Sequence, residues 1–224
     1  MHNEFIEQAS KFAYSFKETI YQTYDAALEL IDYGIKGDFV ECGVAAGAQI
    51  AAMQVAIKER GSDKRIFAFD SFEGIPMAGE FDTVQAGIGE ITHNKYAPLS
   101  ERLVSSGITV HSKENVIQNF NNMGLPLHNV EFIQGWFQNT LPQFAQNIGS
   151  ICMLRLDGDL YESTMVCLEH LYSKVSIGGM VIIDDYALDG CRIALEHFFE
   201  SINKPYPTVI PVTGGGGVSY FYKR

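Results

Sequence analysis

Five short apolar runs, separated by segments with helical spacing, constrain the fold of this chain more than any other feature of its sequence. Strands that alternate with helices along a chain predict an α/β fold with a mostly parallel sheet wound on both faces. Two later runs, residues 208–212 and 218–222, lie on either side of the glycine tract 214–217 and predict a terminal antiparallel hairpin. The five runs are residues 37–42 (GDFVEC), 65–69 (RIFAF), 130–134 (VEFIQ), 150–156 (SICMLRL) and 179–183 (GMVII).

Apolar side chains at helical spacing predict the elements that connect these strands. Residues 3–34 hold one or two helices, and we expect the N-terminal helices within residues 1–36. A length of 224 residues suits a single domain over residues 1–224. Residues 74–98 carry scattered Gly, Pro and acidic residues without periodicity, which is typical of a functional loop. We therefore expect a lid or substrate region within residues 77–110. Further helices are predicted over residues 48–59, 99–106, 113–123, 163–173 and 191–202, with a short strand near 109–110.

The composition argues against several classes of function. The chain has 224 residues and a formal net charge of −11, so it would repel a phosphate backbone, and we expect no nucleic-acid partner. No run reaches the roughly 18 apolar residues that a membrane helix needs, and the first residues, MHNEFIEQASKF, lack the apolar core of a signal peptide. The four cysteines form no CxxC pair, which indicates a reducing compartment. We expect a cytoplasmic protein without a membrane partner.

A first group of candidate ligand-binding residues lies where the first two strands end. The turn 43–47 (GVAAG) leads into a helix, and its glycines, Gly43 and Gly47, let a ligand approach the backbone closely. Glu41 and Asp70 lie at the ends of these strands, and the Asp70 carboxylate suits the two hydroxyls of a ribose. The turn lacks the GxGxxG pattern that holds a pyrophosphate, so a nucleoside without a diphosphate is favoured, and S-adenosylmethionine is one. An ordinary tight turn with a solvated aspartate is the alternative.

Three aspartates form a second group at the ends of two later strands. Asp157 follows the run CMLRL, and Asp184 and Asp185 follow the run MVII. Adjacent parallel strands end at the same edge, so these carboxylates should meet, and they would repel one another unless protonated or bridged by a cation. Oxygen ligands suit Mg²⁺, so we predict a metal site there, with solvated strand-end acids as the alternative. We interpret the nearby Asp159 as a solvated side chain or a cap of the helix that begins near Ser163.

Five motifs resemble those of the macrocin O-methyltransferase family, whose members methylate sugar hydroxyls of macrolides and related antibiotics. The motifs occur in the family's order and cover about residues 20–200. A match of five ordered motifs is far more specific than the glycine turn alone. The motifs are GDFVECGV (37–44), FDSFEGIP (69–76), FIQGWFQNTLP (132–142), LRLDGDLYEST (154–164) and GGMVIIDDY (178–186).

The resemblance implies a class I methyltransferase fold, which is Rossmann-like, with S-adenosylmethionine as methyl donor and a divalent metal, usually Mg²⁺. It implies metal ligation by Asp157, Asp184 and Asp185 and makes Asp157 the candidate general base as well. The implied acceptor is a hydroxyl of a sugar or of a glycosylated small molecule in natural product biosynthesis. The turn and the resemblance together predict a cofactor site made of Glu41, Cys42, Gly43, Gly47, Asp70, Ser71 and, beside the adenine, Gly135, Trp136 and Phe137.

The sequence departs from the family's pattern at three places. Family members usually continue the first motif as GVWRGG, whereas this chain has GVAAGA, with Ala45 and Ala46 in place of Trp and Arg. Residues 77–110 do not match in detail, and the final residues read GGGGVSYFYKR where a sequence close to GVYWRK is usual. These departures affect the part of the molecule that would receive the acceptor, so the sequence does not identify the acceptor.

Other functions stay open at this point. A methyltransferase that acts on a catechol-like phenol also uses a three-ligand metal site, but it often has a lysine shortly after the first aspartate, where this chain has residues 158–160 (GDL). An NAD-dependent oxidoreductase is disfavoured because its glycine motif is absent. A non-catalytic nucleotide-binding protein could share the fold, although the intact carboxylates favour an enzyme. We expect a small-molecule acceptor as partner and a homo-oligomer.

Overall fold

All five predicted parallel strands and the terminal hairpin are present in the computed structural model, which describes residues 2–83 and 95–224. The strands are β1 (Asp38–Cys42), β2 (Ile66–Asp70), β3 (Val130–Gln134), β4 (Ile151–Leu156), β5 (Val175–Ile183), β6 (Ile210–Pro211) and β7 (Ser219–Tyr222). The helices of the described ranges are α1 (His2–Ala9), α2 (Lys17–Asp32), α3 (Ala48–Arg60), α4 (Leu99–Arg102), α5 (Lys113–Asn122), α6 (Phe137–Phe144), α7 (Tyr161–Leu171) and α8 (Asp189–Ser201).

The strands form one sheet in the order β3-β2-β1-β4-β5-β7-β6. The first five strands are parallel, and β7 lies antiparallel between β5 and β6. The class I methyltransferase fold that the resemblance implies is therefore confirmed. The strand order reverses between β1 and β4, and in such sheets the carboxyl ends of the strands beside this switch point form the ligand crevice.

Helices cover both faces of the sheet because successive strand residues point to opposite sides. In β1, Phe39 belongs to a core that includes residues of α2, α3 and α5, whereas Val40 belongs to a core that includes residues of α6, α7 and α8. This alternation places Glu41 and Arg155, which are register partners in β1 and β4, on the face covered by α2 and α3. Both of these charged side chains are buried.

Four details differ from the sequence prediction. The predicted helix at 99–106 ends at Arg102, and residues 109–110, although described, form no strand because Thr109 has a positive φ of 54°. The pattern gives no sign of α6, since Pro142 lies inside that helix and lacks the N–H that a helix normally uses. Strand β5 begins at Val175 rather than at Gly179.

Within the described residues, no helix has both the length and the apolarity to cross a membrane.

Candidate active site at the carboxyl edge of the sheet

Main-chain hydrogen bonds extend the sheet one residue beyond the strands and fix the site's backbone. The N–H of Gly43 donates to the carbonyl of Phe69 (2.9 Å), and the N–H of Asp157 donates to that of Cys42 (2.8 Å). The N–H of Asp184 donates to the carbonyl of Leu156 (2.8 Å) in the same way. The chain after each strand end is therefore held in register with its neighbour, which places the predicted residues along one edge.

Gly43 is required where the turn after β1 approaches the loop after β4. Its φ is +96°, and a Cβ on this residue would overlap the carbonyl oxygen of Asp157. Gly47 has φ +92°, but a Cβ there would meet Val116 of α5 at 2.7 Å. The first glycine therefore shapes the edge of the sheet, whereas the second allows α3 to pack against α5.

Asp70 holds the turn through its carboxylate. Its Oδ2 accepts hydrogen bonds from the N–H groups of Val44 (2.6 Å) and Ala45 (3.1 Å), and its Oδ1 accepts from that of Phe72 (2.6 Å). Burial raises the pKa of this carboxyl above its ordinary value, and the three backbone donors oppose that rise. A ligand hydroxyl would donate to carboxylate oxygens that already accept hydrogen bonds from the turn.

A first cleft opens at the switch point. Of the predicted cofactor residues, Gly43, Asp70, Ser71, Trp136 and Phe137 line it together with Asp157. Residues 74–76, which precede the predicted lid region 77–110, and Thr109, which lies within that region, close another side. The complete lining is Gly43, Ala45, Asp70, Ser71, Gly74, Ile75, Pro76, Thr109, Trp136, Phe137, Gln138, Asp157, Gly158, Asp159 and Ser163.

Four of the predicted cofactor residues do not line this cleft. Cys42 is fully buried in the core beneath α7, beside Cys167, and Glu41 is buried beside Arg155. Gly47 packs against α5, as described above. Gly135 links two strand ends, because its N–H donates to the carbonyl of Asp70 (2.8 Å). Their contact with a cofactor stays a prediction, and their observed contacts are structural.

The three predicted metal ligands come together. Asp157, Asp184 and Asp185 each offer a carboxylate oxygen, and these oxygens lie within 4.8 Å of one another in the part of the chain that the structure describes. The cause is the parallel pairing of β4 with β5, in which Leu156 and Ile183 are register partners. Three convergent carboxylates on a fixed backbone are the oxygen-rich donor set that Mg²⁺ and similar cations prefer, so these residues fit a divalent cation.

Burial raises the pKa values of Asp184, Asp185 and the neighbouring Asp159. It raises the pKa of Asp184 to about 7, with Arg155 opposing the rise, and raises the pKa of Asp185 well above its ordinary value, with the neighbouring Asp159 adding to the effect. The pKa of Asp159 rises to about 8, because of burial and then the charge of Asp157. Without a cation, Asp184 and Asp159 therefore retain protons near neutral pH, as expected for crowded carboxylates.

Sequence reasoning missed Arg155, which lies inside the run CMLRL. Its side chain is fully buried, and its guanidinium donates to Oδ2 of Asp157 (2.6 Å), to Oδ1 of Asp184 and to Oε1 of Glu41 (3.3 Å). Burial opposes its charge, but the three carboxylates outweigh that effect and raise its pKa. The available signal was an arginine in an otherwise apolar strand, because such a side chain needs a buried partner.

The interpretation of Asp159 as a helix cap is wrong. Helix α7 begins after Leu160, and no side chain of its own loop caps it. Asp82, which is nearly 80 positions earlier in the sequence, accepts the first N–H of this helix, that of Tyr161, at 2.8 Å. Asp159 instead lines the first cleft with a positive φ of 60°, and its N–H donates to Oδ2 of Asp185 (2.8 Å).

Described residues beside and within the predicted lid region 77–110 contact one another and the body of the protein. The N–H of Ile75 donates to the carbonyl of Ile108 (3.1 Å), and Arg102 forms an ion pair with Glu162 of α7 (2.7 Å). Residues 84–94 lie outside the described ranges, so the lid over residues 77–110 stays a prediction there.

A second cleft adjoins the carboxylate cluster. Asp184 and Asp185 form part of its wall, and the segment between α1 and α2 supplies Tyr14 and Phe16, which are 71% and 61% exposed. The turn between β6 and β7 forms the adjoining wall and contacts this segment, because a Cβ on Gly216 would overlap the Phe16 ring. Asp157 lines the first cleft, so a cation held by the three aspartates would lie between the two.

Comparisons with known proteins agree with this architecture. The family model described as Macrocin-O-methyltransferase (TylF) matches residues 10–211. The 8-demethyl-8-(2,3-dimethoxy-α-L-rhamnosyl)-tetracenomycin-C 4′-O-methyltransferase of Streptomyces olivaceus is 38% identical over 74% of this chain and 59% of its own length. The demethyldecarbamoylnovobiocin O-methyltransferase of Streptomyces niveus is 36% identical over 76% of this chain and 61% of its own length.

A solved structure, that of the O-methyltransferase NovP, is similar over 92% of this chain and 80% of its own, with a TM-score of 0.75 and 31% sequence identity. The chain spans about three fifths of the length of the two curated relatives. The family match nevertheless covers most of the chain, from α2 to the beginning of the hairpin, and includes every strand end that carries the carboxylates. The chain therefore belongs to the macrocin O-methyltransferase family.

Proposed function

We propose that this protein transfers the methyl group of S-adenosylmethionine to a hydroxyl of a sugar or glycosylated small molecule, with a divalent cation, Mg²⁺, held by Asp157, Asp184 and Asp185. The observation that carries the proposal is the meeting of two clefts at one carboxylate cluster. One cleft would hold the donor and the other the acceptor, so the reacting groups would face each other beside the cation. The family membership supports methyl transfer as the reaction.

The first cleft suits the donor. Asp70 would accept hydrogen bonds from the ribose hydroxyls while it keeps the turn at Val44 and Ala45 in place. Gly43 would let the backbone approach the ligand closely, and Ser71 would add a hydroxyl beside Asp70. Trp136, an aromatic side chain on the wall of the same cleft, would pack against the adenine.

The carboxylate cluster would supply the activation that a sugar hydroxyl needs. Such a hydroxyl is a weak nucleophile, and a bound divalent cation would lower its pKa and orient it. The protein's own part is to hold the carboxylates together on paired strand ends and to accept the proton. We propose Asp157 as that base, because it lines the first cleft and belongs to the cluster. Asp159 is the second candidate, because it lines the same cleft outside the three-carboxylate group.

The second cleft suits a sugar. Carbohydrate rings present flat apolar faces and polar edges, and this cleft combines the exposed rings of Tyr14 and Phe16 with the hydroxyl of Ser15. One relative is named for an acceptor that carries a rhamnosyl group. We extend to this chain the class of acceptor, a glycoside, and not its identity. A homo-oligomer and a cytoplasmic location stay predictions.

The test separates the donor, the cation and the transfer. S-adenosylhomocysteine should bind in calorimetry, and methyl transfer from labelled S-adenosylmethionine to a panel of rhamnosides should stop with EDTA and recover with Mg²⁺. A protein that binds no S-adenosylhomocysteine would refute the methyltransferase function. Full activity in EDTA would refute the cation alone. Transfer to catechols but to no glycoside would favour the phenol-type alternative.

A further inference from the structure

Arg155 is a buried charge for which the proposed function has no role. Two of the three carboxylates that its guanidinium contacts, those of Asp157 and Asp184, are proposed metal ligands, and the third, Glu41, is not. The guanidinium is therefore hydrogen-bonded to two of the carboxylates that would bind the cation. A dication and a guanidinium that share the same carboxylates repel each other strongly in a buried site.

Glu41 has unused capacity to accept this guanidinium. Its carboxylate is 1% exposed, its Oε1 makes the longest of the three contacts (3.3 Å), and its Oε2 is buried without a hydrogen-bond partner. The Nε of Arg155 is also buried without a partner. Glu41 and Arg155 are direct register partners in neighbouring parallel strands and already touch through Oε1 and Nη1, so both unpartnered groups belong to side chains that are in contact.

We propose that Arg155 is an exchangeable counter-ion of the carboxylate cluster, resting on Asp157 and Asp184 in the absence of metal and shifting to Glu41 when a divalent cation takes their oxygens. This inference rests on the proposed function, because it requires the cation at the three aspartates. Glu41 is then a positioning residue that controls cation affinity through Arg155. Its role differs from the cofactor contact that the sequence predicts for it.

Two physical costs explain why both partners are needed. Without Arg155, the cation-free cluster would hold several buried carboxylates with no positive charge to stabilise them. Without Glu41, a bound cation would leave the guanidinium buried and poorly paired, which is equally unfavourable. Arginine suits the exchange better than lysine, because its planar fork of donors can face two carboxylates at once. The Arg155 guanidinium therefore stays paired with carboxylates both with and without a bound cation.

Mg²⁺ titrations of the wild type, Glu41→Gln and Glu41→Asp test this exchange in the presence of S-adenosylhomocysteine. Glu41→Gln keeps the shape but removes the charge that receives the guanidinium, so its Mg²⁺ dissociation constant should rise at least about tenfold, which is a typical coupling between linked sites. Glu41→Asp keeps the charge but shortens the reach, so its affinity should fall too. A purely through-space effect of the Glu41 charge predicts wild-type affinity for Glu41→Asp.

Glu131→Gln is the matched control, because Glu131 pairs with Arg65 at the surface on β3, and its Mg²⁺ affinity should equal that of the wild type. Crystal structures with and without Mg²⁺ give a second readout that does not depend on the variants folding. With Mg²⁺ bound, the guanidinium should contact both oxygens of Glu41 and leave both Asp157 and Asp184.

Three outcomes count against the inference. Wild-type affinity in Glu41→Asp overturns the exchange, and so does a guanidinium that still bonds to Asp157 and Asp184 beside a bound cation. Both results leave the proposed methyl transfer intact. Absence of Mg²⁺ binding to the wild type overturns the cation site and the exchange together, whereas S-adenosylhomocysteine binding still reports on the donor site.

Discussion

At the scale of single residues, the site depends on groups that satisfy two requirements at once. Gly43 permits the close approach of two loops, and Asp70 holds the turn while it faces the first cleft. Asp157 likewise belongs to the carboxylate cluster and to the wall of the first cleft. Substitution of such a residue affects several properties, so a useful experiment must measure donor binding, cation binding and turnover separately.

Asp157→Asn and Asp159→Asn distinguish the two candidate bases in this way. Asp157→Asn should lower turnover at least about 100-fold. It should also weaken Mg²⁺ binding, because it removes a metal ligand and the base together. Asp159→Asn should keep Mg²⁺ and S-adenosylhomocysteine binding and most of the turnover. Loss of turnover in Asp159→Asn with both bindings retained would transfer the role of base to Asp159.

At the scale of elements, the position of α7 depends on a distant segment. Asp82 is 7% exposed and accepts the N–H groups of Gly79 (2.7 Å) and Tyr161 (2.8 Å). Helix α8 contacts the same carboxylate, because a Cβ on Gly190 would overlap its Oδ1. The described start of the predicted lid region, the first turn of α7 and the first turn of α8 are therefore held by one buried side chain.

Gly190→Ala tests this arrangement through the sign of its effect on the free energy of unfolding. Inside an ordinary helix the change from Gly to Ala stabilises by roughly 1 kcal/mol. Here the added methyl group would displace a carboxylate that bonds to two backbone donors, so we expect a loss of about 1–3 kcal/mol. Urea unfolding measures the change, with Asp63→Ala, at an exposed position, as the control. Stabilisation by Gly190→Ala would contradict the arrangement.

Sequence patterning predicted the elements whose signal is local and missed those whose cause is tertiary. The five parallel strands and the meeting of Asp157 with Asp184 follow from apolar runs that end in acids. The cap of α7 was assigned wrongly because its true partner, Asp82, is remote in sequence. Arg155 was missed for a similar reason, since its significance depends on Glu41 in the neighbouring strand.

At the scale of the whole molecule, the buried acids make stability depend on pH. The pKa values of Asp184 and Asp159 rise to about 7 and about 8 in the folded protein, from an ordinary value of 3.8. Between about pH 4 and pH 8 the folded state therefore binds protons that the unfolded state has released. Stability contributed by these groups is present at low pH and falls as pH rises through this window.

We therefore expect the melting temperature of the cation-free protein to decrease between pH 5.5 and pH 8.5. Each unit of pKa shift corresponds to about 1.4 kcal/mol, so the combined effect should be a few kcal/mol. Mg²⁺ should restore part of the loss at the higher pH, because it binds the ionised carboxylates. Asp184→Asn should flatten the pH dependence. A melting temperature that rises with pH would show that the acids are ionised throughout the range.

The second cleft has a consequence for how acceptor preference can change. The groups proposed for donor and cation lie at strand ends, where alteration disturbs the sheet itself. About half of the residues that would face the acceptor instead belong to two connections, one between α1 and α2 and the other between β6 and β7. Connections tolerate insertion and replacement far better than strands do. Under the proposed function, exchange of these two connections should therefore change the preferred glycoside while the proposed methyl transfer is retained.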